Sequence, residues 1–255
     1  MNIYTQIQLL KTKQNKALAI LIDPDTDKDN IIEVVKKAEN NKIDFIFCGG
    51  SLVTKGQSEV CVDLIKNYCK IPVVIFPGNE MHVTEKADAL LFLSLVSGRN
   101  PEYLIGKQVV SAPLIKKMQL ETIATGYLLI DGGTVTTAHY VSQTMPIPNN
   151  KPAIAAATAI ASEMLGQKLI YLDAGSGAKN VVSKGIIAMV SKSVELPIIV
   201  GGGINNAEKA YIAFENGADI VVVGNALEKT PDLMDELASI RNGFNQLTVS
   251  NLIAE

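Results

Sequence analysis

The ten residues 169–178, LIYLDAGSGA, contain the pattern on which the fold prediction depends. An apolar run ends in one carboxylate, Asp173, and Gly175, Ser176 and Gly177 follow closely. This pattern predicts a buried strand that opens into a glycine turn. Such a turn can direct several backbone N–H groups at an anion, although many glycine turns simply reverse the chain.

Two later stretches repeat this pattern. Residues 198–204 read IIVGGGI and residues 218–225 read ADIVVVGN, so three successive strands end in small residues. Outward from these stretches, the chain divides into short apolar runs that alternate with helical patterns. The predicted strands are residues 17–22, 44–48, 73–76, 89–95, 126–130, 169–172, 198–200 and 220–223.

The predicted strands are continuous apolar runs, which is typical of parallel strands covered by helices on both faces. We therefore predict an α/β fold, an eight-stranded parallel (β/α)8 TIM barrel, with a doubly wound open sheet as the alternative. The predicted helices lie near residues 3–13, 31–40, 59–69, 102–117, 153–165, 181–191, 207–215 and 228–240, with a helical tail to Glu255.

Two connections depart from regular alternation. The segment 77–89 is too short for a helix and two turns, which predicts an abbreviated connection after the third strand. The stretch 135–148 is predicted to be irregular, because Pro146 and Pro148 oppose both a helix and a central strand.

Composition restricts the class of protein. With 255 residues, 47% of them hydrophobic and 19% charged, the chain suits a single barrel-sized domain over residues 1–255. A formal net charge of −3 without a basic tract argues against nucleic-acid binding. Cys48, Cys61 and Cys69 lack the spacing of metal ligands and predict buried, reduced thiols in a cytoplasmic protein. We expect neither a signal peptide nor a membrane span.

A barrel of this kind carries its function at the carboxyl ends of the strands. The last three predicted strands end in residues that let a phosphate approach the backbone closely: Gly175, Ser176, Gly177, Gly201, Gly202, Gly203, Gly224 and Asn225. Tight turning from strand to helix would also explain glycines there, but less readily three in a row. We therefore predict a phosphate site at this end.

The first two predicted strands end in oxygen-bearing side chains. Asp23 and Asp25 follow the first strand, and Ser51 follows the second. One carboxylate and one hydroxyl suit Mg²⁺, which keeps waters and takes its other oxygens from a substrate phosphate. Asp25 could equally cap the helix that follows it.

Several other chemistries lack support in the sequence. His82 and His139 do not have the HExxH spacing of a zinc hydrolase, and we expect both to be surface or loop residues. None of the predicted strands ends in a lysine, which disfavours a Schiff-base aldolase, and the Walker pattern is absent.

Seven motifs, in chain order, carry a resemblance to a known family. They are LIDPD (21–25), CGGS (48–51), FPGN (76–79), TMPIPNNKPAIAAATAIASEMLG (144–166), YLDAGSGA (171–178), VGGGI (200–204) and GADIVVVGN (217–225). Together they resemble the geranylgeranylglyceryl phosphate synthases, a family of prenyltransferases that includes the bacterial heptaprenylglyceryl phosphate synthases. The resemblance runs from the first strand to the eighth, and the family's barrel has an abbreviated third connection.

The resemblance implies a reaction and its cofactor. A polyprenyl group, with geranylgeranyl as the expected chain, would move from its diphosphate to the 3-hydroxyl of sn-glycerol 1-phosphate, in the presence of Mg²⁺. It further implies a homo-oligomer, and the long apolar substrate suggests transient contact with a membrane surface. Two non-prenyl alternatives remain: another phosphate-binding barrel enzyme, such as a sugar-phosphate isomerase or a flavin-dependent enzyme, and a non-catalytic phosphometabolite-binding protein.

The resemblance also implies roles for individual residues. Asp23 and Ser51 match the family's Mg²⁺ positions. The positions that match its glycerol-phosphate site are Tyr171, Leu172, Asp173, Ala174, Gly175, Ser176, Gly177, Gly202, Gly203, Gly224 and Asn225. Asp173 is the candidate catalytic base, at a position where the family pattern has glutamate. Leu21 stands where some members carry a lysine.

An apolar groove is needed for the prenyl chain. The candidate lining residues are Phe76, Leu93, Leu95, Tyr127 and the small residues of the predicted helix at 153–161. Ordinary barrel packing is the alternative role for each of them.

Overall fold

A computed structural model describes residues 1–254 of the chain. Within that range, eight parallel strands form a closed barrel, and the first strand pairs with the last. The strands are Ala17–Ile22 (β1), Phe45–Gly49 (β2), Val73–Phe76 (β3), Ala89–Ser94 (β4), Thr122–Leu129 (β5), Leu169–Asp173 (β6), Ile198–Gly201 (β7) and Ile220–Val223 (β8). The closure, with Ala17 opposite Ile220, confirms the predicted TIM barrel and rules out the open sheet.

Helices follow most of the strands. They are Ile3–Thr12 (α1), Lys28–Asn40 (α2), Ser58–Tyr68 (α3), Lys107–Met118 (α4), Thr137–Ser142 (α5), Pro152–Met164 (α6), Lys184–Ser193 (α7), Ala207–Glu215 (α8), Asn225–Lys229 (α9) and Leu233–Ala254 (α10). The helix predicted at 228–240 is in fact divided between α9 and α10, and Pro231 lies in the break. Glu255, where the helical tail was expected to end, lies outside the described residues. None of the helices described in residues 1–254 has the length and hydropathy of a membrane span.

Side chains alternate along each strand between two apolar layers. The inner layer fills the barrel and includes Phe47 and Tyr171. The outer layer lies between the strands and the helices and includes Leu172 and Ala174. Asp173 therefore faces the inside of the barrel mouth, while its two neighbours face the helices.

A one-turn 3₁₀ helix, Glu80–His82, replaces a full helix between β3 and β4 and confirms the predicted abbreviated connection. Asn79 Oδ1 caps it by accepting from the Met81 N–H at 2.8 Å. His82 is buried, and its Nδ1 accepts from the Gly78 N–H at 3.2 Å. His82 was expected to be a surface or loop residue: it does lie in this short connection, but it is buried, because its imidazole serves as a backbone acceptor there. The missing helix leaves space between β4 and α4.

Helix α5 occupies part of the stretch predicted to be irregular, and that prediction is wrong for residues 137–142. The helix begins after Thr136, whose N–H donates to Nδ1 of His139 at 3.0 Å. His139 thus lies in a helix and not in a loop. Six residues are too few to display a helical period in sequence. Thr137 and Ala138 of this helix each border a cavity at the barrel mouth.

Candidate active site

Two cavities open at the carboxyl ends of the strands. The first, called here the polar cavity, has a volume of about 1520 Å³ including its open mouth and is bordered by the ends of β1, β2, β6, β7 and β8. The second, called the apolar groove, has a volume of about 880 Å³, again including its open mouth, and lies along β3, β4 and β5 against α4. Gly50, Ser51 and Phe76 border both, so the two cavities meet beside β2 and β3.

Most residues singled out from the sequence lie together in the polar cavity. They are Tyr171, Asp173, Ser176, Gly177, Gly202, Gly203, Gly224 and Asn225, together with Asp23 and Ser51. Leu172 and Ala174 lie outside it, since their side chains pack between the barrel and its helices. Gly175 acts indirectly, because its N–H donates to Oδ1 of Asp173 at 2.7 Å.

The wall formed by the ends of β6 and β7 requires glycine at two positions. Gly202 has a φ of +76°, and a Cβ there would lie 2.6 Å from Asp173 Oδ1 and from the Gly175 nitrogen. Gly175 has a φ of +89°, and a Cβ there would lie 2.6 Å from Oγ1 of Thr136. Bare backbone therefore forms this wall, which lets an anion come close to N–H groups.

Asp173 is buried at the end of β6, with 7% of its surface exposed. One carboxylate oxygen accepts from Gly175, and the other accepts from the hydroxyl of Tyr127 on the neighbouring strand. Burial raises the pKa of the Asp173 carboxyl above its usual value, and the hydrogen bonds from Tyr127 and Gly175 oppose that rise. The site thus holds an oriented carboxyl group with an increased affinity for a proton.

Three aromatic rings surround the junction of the two cavities. Phe76 stacks on Tyr171, with ring centroids 5.1 Å apart and an interplanar angle of 6°. Tyr127 is tilted against both, at 6.0 Å from Phe76 and 5.5 Å from Tyr171. Aromatic faces attract a neighbouring positive charge, so this cluster can stabilise a cation that forms at the junction.

The opposite side of the polar cavity carries Asp23 and Ser51. Asp23 Oδ1 accepts from the Asp25 N–H at 2.9 Å. A Cβ at Gly50 would lie 2.8 Å from Asp23 Oδ2, so glycine there keeps space beside this second oxygen. Burial raises the pKa of Asp23, and the nearby charges of Asp25 and Glu228 add to the rise. A cation bound here would instead lower the pKa of Asp23.

The protein supplies few ligands for a metal at this position. Within the described residues, His, Cys, Asp and Glu side chains form no group of three that could hold a metal ion. Asp23 and Ser51 could therefore hold only a cation that completes its shell from water and substrate oxygens, as Mg²⁺ does.

Asp25 organises a loop and does not cap α2. Its carboxylate accepts from the backbone N–H groups of Thr54, Lys55 and Gly56 at 2.8, 2.8 and 2.5 Å. These hydrogen bonds lower the pKa of Asp25 far below its usual value. The cap of α2 is Asp27, whose side chain accepts from Asp29. Asp25 thus fixes the segment that follows Ser51.

Only some of the residues predicted to line the prenyl groove do so in the structure. Phe76, Leu93, Leu95 and Tyr127 line it. The helix at 153–161, now part of α6, lines neither cavity, because it packs against α7 and β5 on the outside of the barrel. The groove forms between β4 and α4, where the short connection after β3 leaves room.

Two features of the site were missed in the sequence. Lys229 borders the polar cavity from the end of α9, where the sequence predicts the interior of one longer helix. The bond between Tyr127 and Asp173 joins residues 46 positions apart, and only strand register brings them together. Neither feature has a local sequence signal.

Comparison with known proteins identifies the family. The model of the PcrB family matches residues 10–241. The chain belongs to the PcrB family. A geranylgeranylglyceryl phosphate synthase from Spirosoma linguale is 50% identical over 240 residues, which cover 94% of this chain and 96% of that protein. One from Chitinophaga pinensis is 52% identical over 237 residues, which cover 92% and 94%.

A solved structure of the same family matches the fold closely. The crystal structure of (S)-3-O-geranylgeranylglyceryl phosphate synthase from Thermoplasma acidophilum, in complex with its substrate sn-glycerol-1-phosphate, superimposes with a TM-score of 0.89. It is 31% identical, and the match covers 95% of this chain and 99% of the other. This PcrB family member is an enzyme, a prenyltransferase, and the two non-prenyl alternatives drawn from the sequence fall away.

Proposed function

We propose that this enzyme transfers a polyprenyl group, with geranylgeranyl as the expected chain, from its diphosphate to the 3-hydroxyl of sn-glycerol 1-phosphate. The products are an ether and free diphosphate. The observation that supports this proposal is the junction at Ser51 and Phe76, where a cavity walled by bare backbone meets an apolar groove beside a buried carboxyl group.

Glycerol phosphate would occupy the polar cavity with its phosphate on the glycine wall. Gly177, Gly203 and Asn225 border the space, and Lys229 adds a positive charge. The relative from Thermoplasma acidophilum is a complex with sn-glycerol-1-phosphate, which supports the same ligand here. Anchoring of the phosphate would hold the glycerol hydroxyl at the junction and remove most of the orientational cost of the reaction.

The prenyl chain would occupy the apolar groove, which is lined mainly by apolar side chains such as Leu93, Leu95 and Phe76. Its diphosphate would lie at Ser51 and Asp23, with Mg²⁺ as the cofactor. Space beside Asp23 Oδ2, next to Gly50, supports a ligand there. When bound, Mg²⁺ neutralises the negative charge that develops on the departing diphosphate.

The chain's own residues would supply the remaining chemistry. The faces of Phe76 and Tyr171 would stabilise positive charge on the allylic carbon as its bond to diphosphate breaks. Asp173 would be the final acceptor of the proton that the glycerol hydroxyl loses, since its carboxyl group lines the polar cavity.

The family resemblance and the composition also support proposals about domain organisation, oligomeric state and location in the cell. We propose one catalytic domain, a homo-oligomeric state and a cytoplasmic location, the last supported by free, buried Cys48, Cys61 and Cys69. Transient contact with a membrane surface would give access to the apolar substrate.

The test is direct product identification. The enzyme is incubated with sn-glycerol 1-phosphate, Mg²⁺ and prenyl diphosphates of graded length, and the lipid products are identified by mass spectrometry. We expect a prenyl ether of glycerol phosphate, and its loss when EDTA removes the metal. Absence of an ether with every chain length would refute the proposed reaction, and full activity in EDTA would refute the cofactor.

A further inference from the structure

Asp173 lines the polar cavity, and hydrogen bonds hold its side chain in place. Both of its oxygens already accept hydrogen bonds, one from Gly175 in its own loop and one from Tyr127. Its side chain is also one methylene shorter than the glutamate of the family pattern. Tyr127 lines the apolar groove and donates to this fixed carboxyl group, so it can connect Asp173 to a hydroxyl group at the junction.

Tyr127 stands at the boundary between the two cavities. Its ring lines the apolar groove, whereas its hydrogen-bond acceptor, Asp173, lines the polar cavity. In the register of β5 with β6, Tyr127 lies opposite Tyr171 and Leu129 lies opposite Asp173. The side chain of Tyr127 extends across this two-residue offset, so that its hydroxyl group donates to the carboxyl group of Asp173.

We propose that Tyr127 takes the proton from the glycerol 3-hydroxyl and passes its own proton to Asp173. This inference rests on the proposed function. As the hydroxyl oxygen bonds to the allylic carbon, the O–H bond breaks and its proton moves to Tyr127 Oη. The phenolic proton moves to Asp173 Oδ2, and diphosphate leaves with the electrons of the carbon–oxygen bond. Tyr127 ends neutral, and Asp173 releases its proton to water through the open polar cavity.

The surroundings of both groups favour a coupled transfer. Burial raises the pKa of Tyr127 well above its usual value, so a free phenolate is avoided when both protons move together. The titratable groups that act on Asp173 are Tyr127 from β5, Tyr171 from β6 and His139 from α5. Among the hydrogen bonds of the described residues, Asp173 accepts from Tyr127 and not from Tyr171, which selects Tyr127 as the relay.

The test compares three variants with the wild type. Tyr127→Phe should lower kcat and the single-turnover rate about 100-fold, the low end of the range for general acid–base catalysis, with little change in KM for glycerol phosphate. Adding Asp173→Glu to Tyr127→Phe should recover at least about tenfold, because the longer acid reaches the hydroxyl itself. Tyr211→Phe is the matched control, since its hydroxyl lies on the exposed surface of α8 beside Glu215 and its loss should leave the rate unchanged.

Three outcomes would overturn the relay. The first is a wild-type rate in Tyr127→Phe, and the second is a loss of rate that Asp173→Glu does not restore while Tm shows that both variants are folded. A fall in Tm of Tyr127→Phe with an unchanged single-turnover rate of the folded fraction would assign Tyr127 to packing and also refute it. A wild-type enzyme that forms no ether would refute the proposed function instead.

Discussion

The two sides of the polar cavity are built from different parts of the chain. The side formed by β6 and β7 is bare backbone at Gly175 and Gly202, with positive φ angles and contacts that exclude a Cβ. The side formed by β1 and β2 is made of side chains, Asp23 and Ser51. Substitutions that add a side chain should therefore impair activity on the side formed by β6 and β7. Substitutions that remove a side chain should impair it on the side formed by β1 and β2. Asp173 lies between them, because its side chain is held by the backbone of its own loop.

The largest effect is expected on the side formed by β1 and β2. Asp23→Ala should lower kcat/KM about 10⁴-fold, because the variant loses the carboxylate proposed to hold the metal that stabilises the leaving group. The fold should survive, since burial of the charge already disfavours the ionised Asp23. Steady-state kinetics over a range of Mg²⁺ concentrations checks this, with exposed Asp29→Ala as the control. Full Mg²⁺-dependent activity without Asp23 would contradict the metal site.

The second effect concerns the carboxyl group between the two sides. Asp173→Asn should lower kcat about 10³-fold while KM for glycerol phosphate changes little, because the terminal proton acceptor is lost. In the wild type, kcat should fall as pH decreases, with a midpoint above the usual aspartate pKa near 4 because burial raises it. An unchanged kcat in the variant would remove Asp173 from any role in proton transfer.

Asp173→Asn should lower kcat but increase the stability of the folded protein at neutral pH. Because the pKa of Asp173 is higher in the folded protein than in the unfolded chain, the stabilising contribution of the carboxyl is present at low pH and lost as pH rises through the raised pKa. Asp173→Asn should therefore raise Tm at pH 7, and the gain should disappear toward pH values near 4. Thermal unfolding of both proteins across this pH range would detect it, and a lower Tm at pH 7 would be inconsistent with the cause given.

The third effect tests the side formed by β6 and β7 by adding one methyl group. Gly202→Ala should raise KM for glycerol phosphate about 100-fold, because the Cβ would displace Asp173 or the Gly175 loop and shift the phosphate site. Gly185→Ala is the matched control, since this exposed helical glycine has no neighbouring atom within 4 Å of an added Cβ. The control should keep its KM and gain about 0.5–1 kcal/mol of stability. Equal KM values in the two variants would show that the wall tolerates side chains.

The smallest effect is expected for Asp25, which holds the loop that follows Ser51. Asp25→Ala should lower kcat/KM about tenfold, because the loop that follows Ser51 loses three backbone hydrogen bonds. Asp27→Ala, which removes the cap of α2, should instead cost about 1 kcal/mol of stability and leave kcat/KM unchanged. If both variants behave alike, Asp25 serves stability alone.

Several sequence inferences agreed with the structure because they depend on local chemistry. β1, β3, β8 and α8 begin and end where the sequence predicts, since apolar runs and helical periods are read from neighbouring residues. The small residues at the ends of β6, β7 and β8 were found for the same reason. α5 was missed because six residues carry no period. The burial of His82 was missed because it depends on how the short connection after β3 folds around its imidazole.

The sequence by itself determined the barrel, the family and the residues that collect at the carboxyl ends of its strands. These follow from the order of apolar runs, glycines and motifs along the chain. Tertiary structure alone decided which of those residues meet. The register of β5 with β6 brings Tyr127 to Asp173, and the missing helix after β3 opens the apolar groove beside them. Both depend on packing between segments far apart in sequence, where no local pattern reports the contact.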